Sequence, residues 1–356
     1  LSGAFSASIS AIHGSDLIAL NSMRYLPGYL LLPGMFIIGL VLSFSMGSSM
    51  GAATALMPVA LSIVAHSDVS SSLACGVVVS GVIAGDNLSF ISDTSVAAAA
   101  VTGTTIKMKF KESICMFLAP AIITFIILCC IPVQCTVSQL ANIPVINLIP
   151  IITVIILSIK GISVIPVLAI GTCLSFLIGW IEKLFTIAEF LAAIHAGVMN
   201  LEEMALIAVV AGGLIGLAQD NGGIEWICNK ISSSSSSSKR SALSIAFTTI
   251  LLDIVTANNT MAIITCGPIA SKICEEQDFS KTKAATILGY FSTITNGIVP
   301  YAGHLMAVSG LSSITPISVI PYVFYDLIGF ITGFLWLLFE PEKILLFIKT
   351  RRNNND

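Results

Sequence analysis

The sequence predicts an all-α polytopic membrane protein made of two inverted-topology repeats. Each repeat is expected to hold a re-entrant helical hairpin and an unwound, discontinuous transmembrane helix. Three observations predict this. The 356 residues are 56% hydrophobic and only 10% charged, whereas soluble domains carry roughly 25% charged residues, and the mean hydropathy is +0.98. The apolar residues fall into long runs. Several of those runs are broken by small polar residues, and the breaks recur in corresponding places in the two halves of the chain.

Apolar segments lie at 1–12, 28–45, 50–66, 73–101, 113–133, 144–159, 162–180, 203–219, 241–269, 284–309 and 317–339. At about 20 residues per spanning helix, the chain holds about eight to ten membrane segments. It begins at Leu1 inside an apolar stretch with no basic region ahead of it, which does not read as a signal peptide. The expectation is a chain whose first helices are missing. The order of parts is then a first repeat over 1–133, connecting helices over 134–202 and a second repeat over 203–345, followed by a cytoplasmic tail over 346–356. Residues 185–200 read as an amphipathic interfacial helix, and the serine run within 231–240 reads as a flexible linker.

Two segments are interrupted at Ser43-Phe-Ser-Met-Gly-Ser-Ser-Met-Gly51 and Asp253-Ile-Val-Thr-Ala-Asn-Asn-Thr260, and two more at Gly85-Asp-Asn-Leu-Ser89 and Thr295-Asn-Gly-Ile-Val-Pro300. Helix-breaking polar backbone at membrane depth is tolerated only where it lines a cavity or is buried in protein. Sliding the chain on itself so that Ser48 meets Asn258 also sets Asp86-Asn87 on Asn296-Gly297 and Gly3-Ala-Phe-Ser on Gly213-Leu-Ile-Gly. Paired interruptions of this kind point to a secondary-transporter binding site. Charge gives the orientation. Loops 102–112 and 271–283 each hold three lysines, while their counterparts 310–320 and 61–72 hold no lysine or arginine, as inverted halves require under the positive-inside rule. With 28–66 and 241–270 as re-entrant hairpins, all of the 16 Lys and Arg residues except Arg24 and Lys183 fall in the cytoplasm.

A charge at the bilayer centre costs at least about 2.5–3.5 kcal/mol, which makes it a functional candidate by default. The carboxylates in question are Asp86, Asp93, Asp253 and Asp326. Asp86 and Asp93 would share a face if the helix reforms after Ser89. A carboxylate removed from water binds protons more readily and can trade one for a cation, so Asp86, Asp93 and Asp253 are the expected exchanging groups. Sodium prefers oxygen ligands. Ser48, Ser49, Asn87, Ser89, Ser92, Thr94, Asn258, Asn259, Thr260, Thr295 and Asn296 supply them, with Tyr301 and His304 as relay candidates. Asp326 has a simpler role open to it, pairing with a neighbouring hydroxyl. Small polar residues in membrane helices also serve interhelical hydrogen bonds alone. Half-helix N-termini at the same breaks favour an anion, which keeps a carrier of a small carboxylate or amino acid open beside a cation exchanger.

Other classes are excluded. A net charge of −3 gives no basic field for nucleic acid. The nine cysteines form no CxxC pair, so neither zinc nor a disulfide framework is expected. Gly47-Ser-Ser-Met-Gly51 formally fits G-x-S-x-G, but a nucleophile elbow needs a strand before it. HExxH, a phosphate loop with its lysine and GxGxxG are all absent. No enzyme, no cofactor and no ATP-driven pump are expected.

The stretch Gly85-Asp-Asn-Leu-Ser-Phe-Ile-Ser-Asp-Thr94 resembles the hallmark of the NhaC-type Na+/H+ antiporter family, with Phe90 standing where that family usually has proline. Glu202-Glu-Met-Ala, Asn221-Gly-Gly-Ile, Thr256-Ala-Asn-Asn-Thr-Met-Ala-Ile-Ile and Gly297-Ile-Val-Pro-Tyr are similar to it as well. The resemblance implies the fold of the wider ion-transporter superfamily, usually dimeric, in a plasma or inner membrane. It implies Na+ and H+ as transported ions, or in some members organic acids and amino acids. Hairpin tips there often read Ser-Asn-Thr. Asn258-Asn259-Thr260 is close to that, and Ser48-Ser49-Met50 lacks the threonine.

Overall fold

The computed structural model describes residues 1–89, 92–134, 144–160, 162, 164–199 and 238–339, with isolated positions between 202 and 222. It is helical throughout, without a β-strand among the described residues. Before the first hairpin come α1 (Ser2–Ala11) and α2 (Gly14–Tyr25). The first hairpin is α3 (Leu31–Met46) and α4 (Ser49–Ala65), and the first broken helix is α5 (Ser71–Leu88) and α6 (Asp93–Thr102), followed by α7 (Ile106–Cys129). Between the halves lie α8 (Ile149–Ile159), α9 (Val164–Ile181) and α10 (Ile187–Met199). The second hairpin is α11 (Ser238–Thr256) and α12 (Asn259–Glu276). The second broken helix is α13 (Lys281–Asn296) and α14 (Gly303–Ser312), followed by the short α15 (Pro316–Val319) and by α16 (Phe324–Phe339).

The two halves keep one spacing. Ser49, Ser71, Asp93 and Ile106 open helices, and Asn259, Lys281, Gly303 and Pro316 open helices at one constant offset downstream. Even the prolines inside α4 and α12, Pro58 and Pro268, obey it. The hairpin turns are built alike. Gly47 stands in the left-handed region at φ 62 and ends α3; at the corresponding place Ala257 takes φ 47, a conformation that costs an L-residue with a side chain about 1–2 kcal/mol. Ser48 and Asn258 follow in extended conformation and cap the next helix, accepting from the N–H of Gly51 and of Met261, as N-cap residues do.

By length and composition, two stretches among the described residues can cross a membrane unaided, Gly28–Met46 and Ser71–Thr102. The number becomes four when two bent pairs each count as one span, Ile106–Ile114 with Met116–Cys129 and Gly303–Ser312 with Pro316–Tyr322. A length test cannot reach eight to ten here, because hairpin arms and half-helices such as Ser49–Ala65 are individually shorter than a bilayer. The chain is a multi-pass membrane protein assembled largely from such pieces.

Close backbone approach holds the core. On α5, Gly81 and Gly85 face α3 so tightly that an added Cβ would lie 2.5 Å from the carbonyl oxygen of Phe36 and 2.2 Å from that of Leu40. Small residues four apart admit this crossing, and membrane helices depend on it because lipid supplies no hydrophobic drive between them. α10 meets α1 the same way through Gly197 and Gly3. Its start carries a reciprocal cap between Thr186 and Glu189. The expected serine linker lies outside the described residues up to 237, and Ser238–Arg240 already belong to α11. The tail over 346–356 and most of 203–219 also lie outside them.

Gly85→Ala is expected to lower the thermal unfolding temperature in detergent, by overpacking worth about 1–3 kcal/mol. Gly34→Ala, with nothing within 4 Å of the added carbon, should leave it unchanged. Equal melting of both variants would contradict the α3–α5 packing.

Candidate functional site

The two hairpin tips and the two helix breaks meet around a single cavity of about 650 Å³. Gly47, Ser48, Ser49 and Met50 come from the first tip and Thr256 to Met261 from the second. The first break contributes Asp86, Ser92, Asp93 and Thr94, and the second Asn296, Tyr301, Gly303 and His304. Most of the predicted site residues are thereby brought to one place. The N-termini of α4, α6, α12 and α14 all open on it, and so do the C-terminal ends of α5, α11 and α13.

Asp86 sits in the last turn of α5 at 3% exposure. Its Oδ1 accepts from the hydroxyl of Ser92 at 2.8 Å, and that hydroxyl also meets Thr94 Oγ1 at 2.7 Å. One oxygen is thus tied across the break while the carboxylate still lines the cavity. The helix ends at Leu88 and resumes only at Asp93, so Asp86 and Asp93 do not share a continuous helical face. They reach the cavity from opposite sides of the break, Asp93 in an exposed position at the first turn of α6. Phe90 lies outside the described residues.

Four predicted residues point elsewhere. Ser89 donates to the backbone carbonyl of Phe44 at 2.8 Å, which pins the break to the hairpin. Asn87 donates to Tyr325 Oη at 3.3 Å. Thr295 returns its hydroxyl to the Phe291 carbonyl. Asp253 is fully buried behind Asn296, whose amide donates to Oδ1 at 3.3 Å, and its Oδ2 has no partner. Beside it, Tyr301 donates to the carbonyl of Ile254, the residue after Asp253. The ring of His304 is hydrogen-bonded to the backbone of Asn296, while its Nε2 is buried without a partner.

Lys109 is the residue that sequence reasoning missed. It was expected in a cytoplasmic loop, yet the turn before α7 spans only Gly103–Thr105, and Lys109 turns inward at 3% exposure. Its Nζ donates to Ser95 at 3.0 Å, and a Cβ on Gly289 would lie 2.6 Å from that nitrogen. Its charge and that of Asp86 act on one another. The available signal was helical spacing, since Lys109, Ser113, Met116 and Phe117 form one buried face while Lys107 and Lys111 are exposed. Lys283, also assigned to a loop, is likewise buried in α13, with Nζ 5.2 Å from the Trp336 ring centre.

Polar half-helix ends gathered around one cavity within a multi-pass helical protein are an arrangement that secondary transporters use. The model of the Na+/H+ antiporter family matches residues 129–339, more than half of the chain, and the chain belongs to that family, in agreement with its NhaC-type resemblance. The matched stretch holds the second hairpin and the second break; Gly85–Thr94 and the first hairpin lie upstream of it. A comparison with curated proteins finds no match.

Ser92→Ala removes the side-chain donor that reaches Asp86 across the break. Leaving a buried carboxylate oxygen without that donor is expected to cost about 1–3 kcal/mol, read as a lower unfolding temperature in detergent. Ser71→Ala, at the far end of α5 from the break, serves as the control.

Proposed function

We propose that the chain exchanges sodium for protons by alternating access, with the cavity between the hairpin tips as the exchange site. The observation that carries this reading is Asp86, a buried carboxylate tied to Ser92 and open to a cavity rimmed by neutral oxygen donors. A Na+ ion takes oxygen ligands, and Ser48, Ser49, Thr94, Asn258, Asn259, Thr260 and Asn296 provide them around Asp86 and Asp93. When sodium leaves, a proton neutralises the carboxylate, so each cation displaces the other. Asp253 supports the second side of the cage through Asn296. Lys109 stands behind the first break, bonded to Ser95, and its ammonium, when charged, offsets the carboxylate of the emptied site in a medium where a bare anion is costly.

Alternating access follows if the halves 1–133 and 203–345 are inverted repeats that rock about this cavity, with 134–202 connecting them. The charge asymmetry of the loops then sets the C-terminus in the cytoplasm of a plasma or inner membrane. The family resemblance supplies a homodimer.

A second reading is favoured by one feature. The N-termini of α6 and α14 carry no side-chain cap, and with those of α4 and α12 they face about 650 Å³ of space. That volume suits a small organic molecule, and free helix N-termini suit its carboxylate. This reading makes the protein a Na+- or H+-coupled carrier of a small carboxylate or amino acid.

The test uses the full chain in proteoliposomes with a pH-sensitive dye inside. External Na+ alone should move protons in the unmodified protein, and Asp86→Asn should abolish that flux while still eluting as a folded species. Undiminished flux in the variant contradicts the assignment, and proton movement only after an organic acid or amino acid is added selects the carrier.

A further inference from the structure

Asp326 lies in the first turn of α16, fully buried, and its carboxyl oxygens meet no donor from another residue, only the backbone N–H of Asp326 itself. It does not line the cavity. The sequence allowed it a neighbouring hydroxyl as partner, and the fold does not supply one. It is seated instead against Gly297, the residue after α13. A Cβ at Gly297 would fall 2.3 Å from Asp326 Oδ1, 2.5 Å from its Cγ and 2.6 Å from Ile83 Cδ1. Gly297 has φ −65, which any residue adopts, so the glycine is there for space and not for backbone freedom. The carboxyl occupies the notch it leaves.

The titratable groups facing Asp326 from the packed elements are phenols, Tyr290 of α13 and Tyr325 of α16, both within electrostatic reach. Tyr290 gives its hydroxyl to the Gly329 carbonyl at 2.9 Å, and Tyr325 is bonded to Asn87. From α5 the neighbour is Ile83. Among the described residues, no ion pair includes Asp326. An ionised carboxylate in such surroundings is far costlier than the neutral acid, so the group keeps its proton.

The N–H groups at the Gly297 turn are engaged. The N–H of Gly297 bonds to the Thr293 carbonyl at 3.3 Å and that of Ile298 to the Thr295 carbonyl at 3.0 Å. Both bonds belong to the last turn of α13, at the break that also carries Asn296 into the cavity. If that turn unwinds, those N–H groups become available beside Asp326.

We propose that Asp326 is a proton-binding site separate from the cavity, loaded in this conformation and emptied when the Gly297 turn unwinds. On emptying, the carboxyl O–H bond breaks, the proton passes to water and the carboxylate accepts the freed N–H groups. The turn is thereby coupled to a proton, and a second proton joins the exchange. Only this last consequence rests on the proposed antiport.

Infrared spectroscopy of the purified full chain tests the site without transport. Asp326→Asn should remove part of the protonated-carboxyl C=O band at neutral pH, and Asp278→Asn, at an exposed position away from the cavity, should leave that band intact. An unchanged band in Asp326→Asn overturns the proposal. If that variant does not fold, Gly297→Ala, which crowds the carboxyl, should shift the band in frequency while Gly303→Ala does not; no shift overturns the proposal equally. In proteoliposomes Asp326→Asn should carry fewer protons per Na+. Absence of Na+-driven flux in the unmodified protein would count against antiport and leave the infrared result standing.

Discussion

Backbone amides and carbonyls cannot be left unpaired in hydrocarbon, and the rest of this structure follows from how the chain meets that demand while breaking its helices. The hairpin tips satisfy it with Ser48 and Asn258 as caps. The first break ties the Ser89 hydroxyl to the Phe44 carbonyl, while Ser92 and Asp86 pair their side chains across it. What remains exposed at these ends is turned inward onto one shared cavity. The proposed exchange site lies where the helices are interrupted, because polar groups at these breaks stand free of the ladder within a protein wall.

Packing supports the same arrangement. Gly81 and Gly85 bring α5 against the backbone of α3, so the first broken helix is fixed to the first hairpin near the residues that line the cavity. In the second half, Gly289 admits Lys109 and Gly297 admits Asp326. Each of these glycines makes room for a partner's backbone or for a buried ionisable side chain. A methyl group at any of them would meet atoms well inside contact distance, so the small residues position the polar ones.

Much of this was legible in the sequence. The offset that sets Ser48 on Asn258 also sets the helix starts Ser49, Ser71, Asp93 and Ile106 on Asn259, Lys281, Gly303 and Pro316, because breaks and caps are written in short local signals such as Gly-Ser and Asn-Asn. The residues of the cavity were largely named for the same reason. Side-chain direction was not legible. Hydropathy averages a segment and cannot tell that Lys109 turns inward while Lys107 and Lys111 do not, or that Asn87 faces Tyr325 while Asp86 faces the cavity. Loop length misled as well, because three residues between α6 and α7 left no room for a loop of lysines. The seat of Asp326 against Gly297 joins two elements that no local pattern connects.

The central claim is that sodium and protons compete for one site. Its most direct measurement is proton release from purified, weakly buffered protein on addition of NaCl, followed with a pH indicator and referred to choline chloride. Exchange at one site predicts release with sodium and none with choline, and weaker sodium binding as the pH falls. Sodium binding that releases no proton, or that appears only after an organic solute is added, would contradict it.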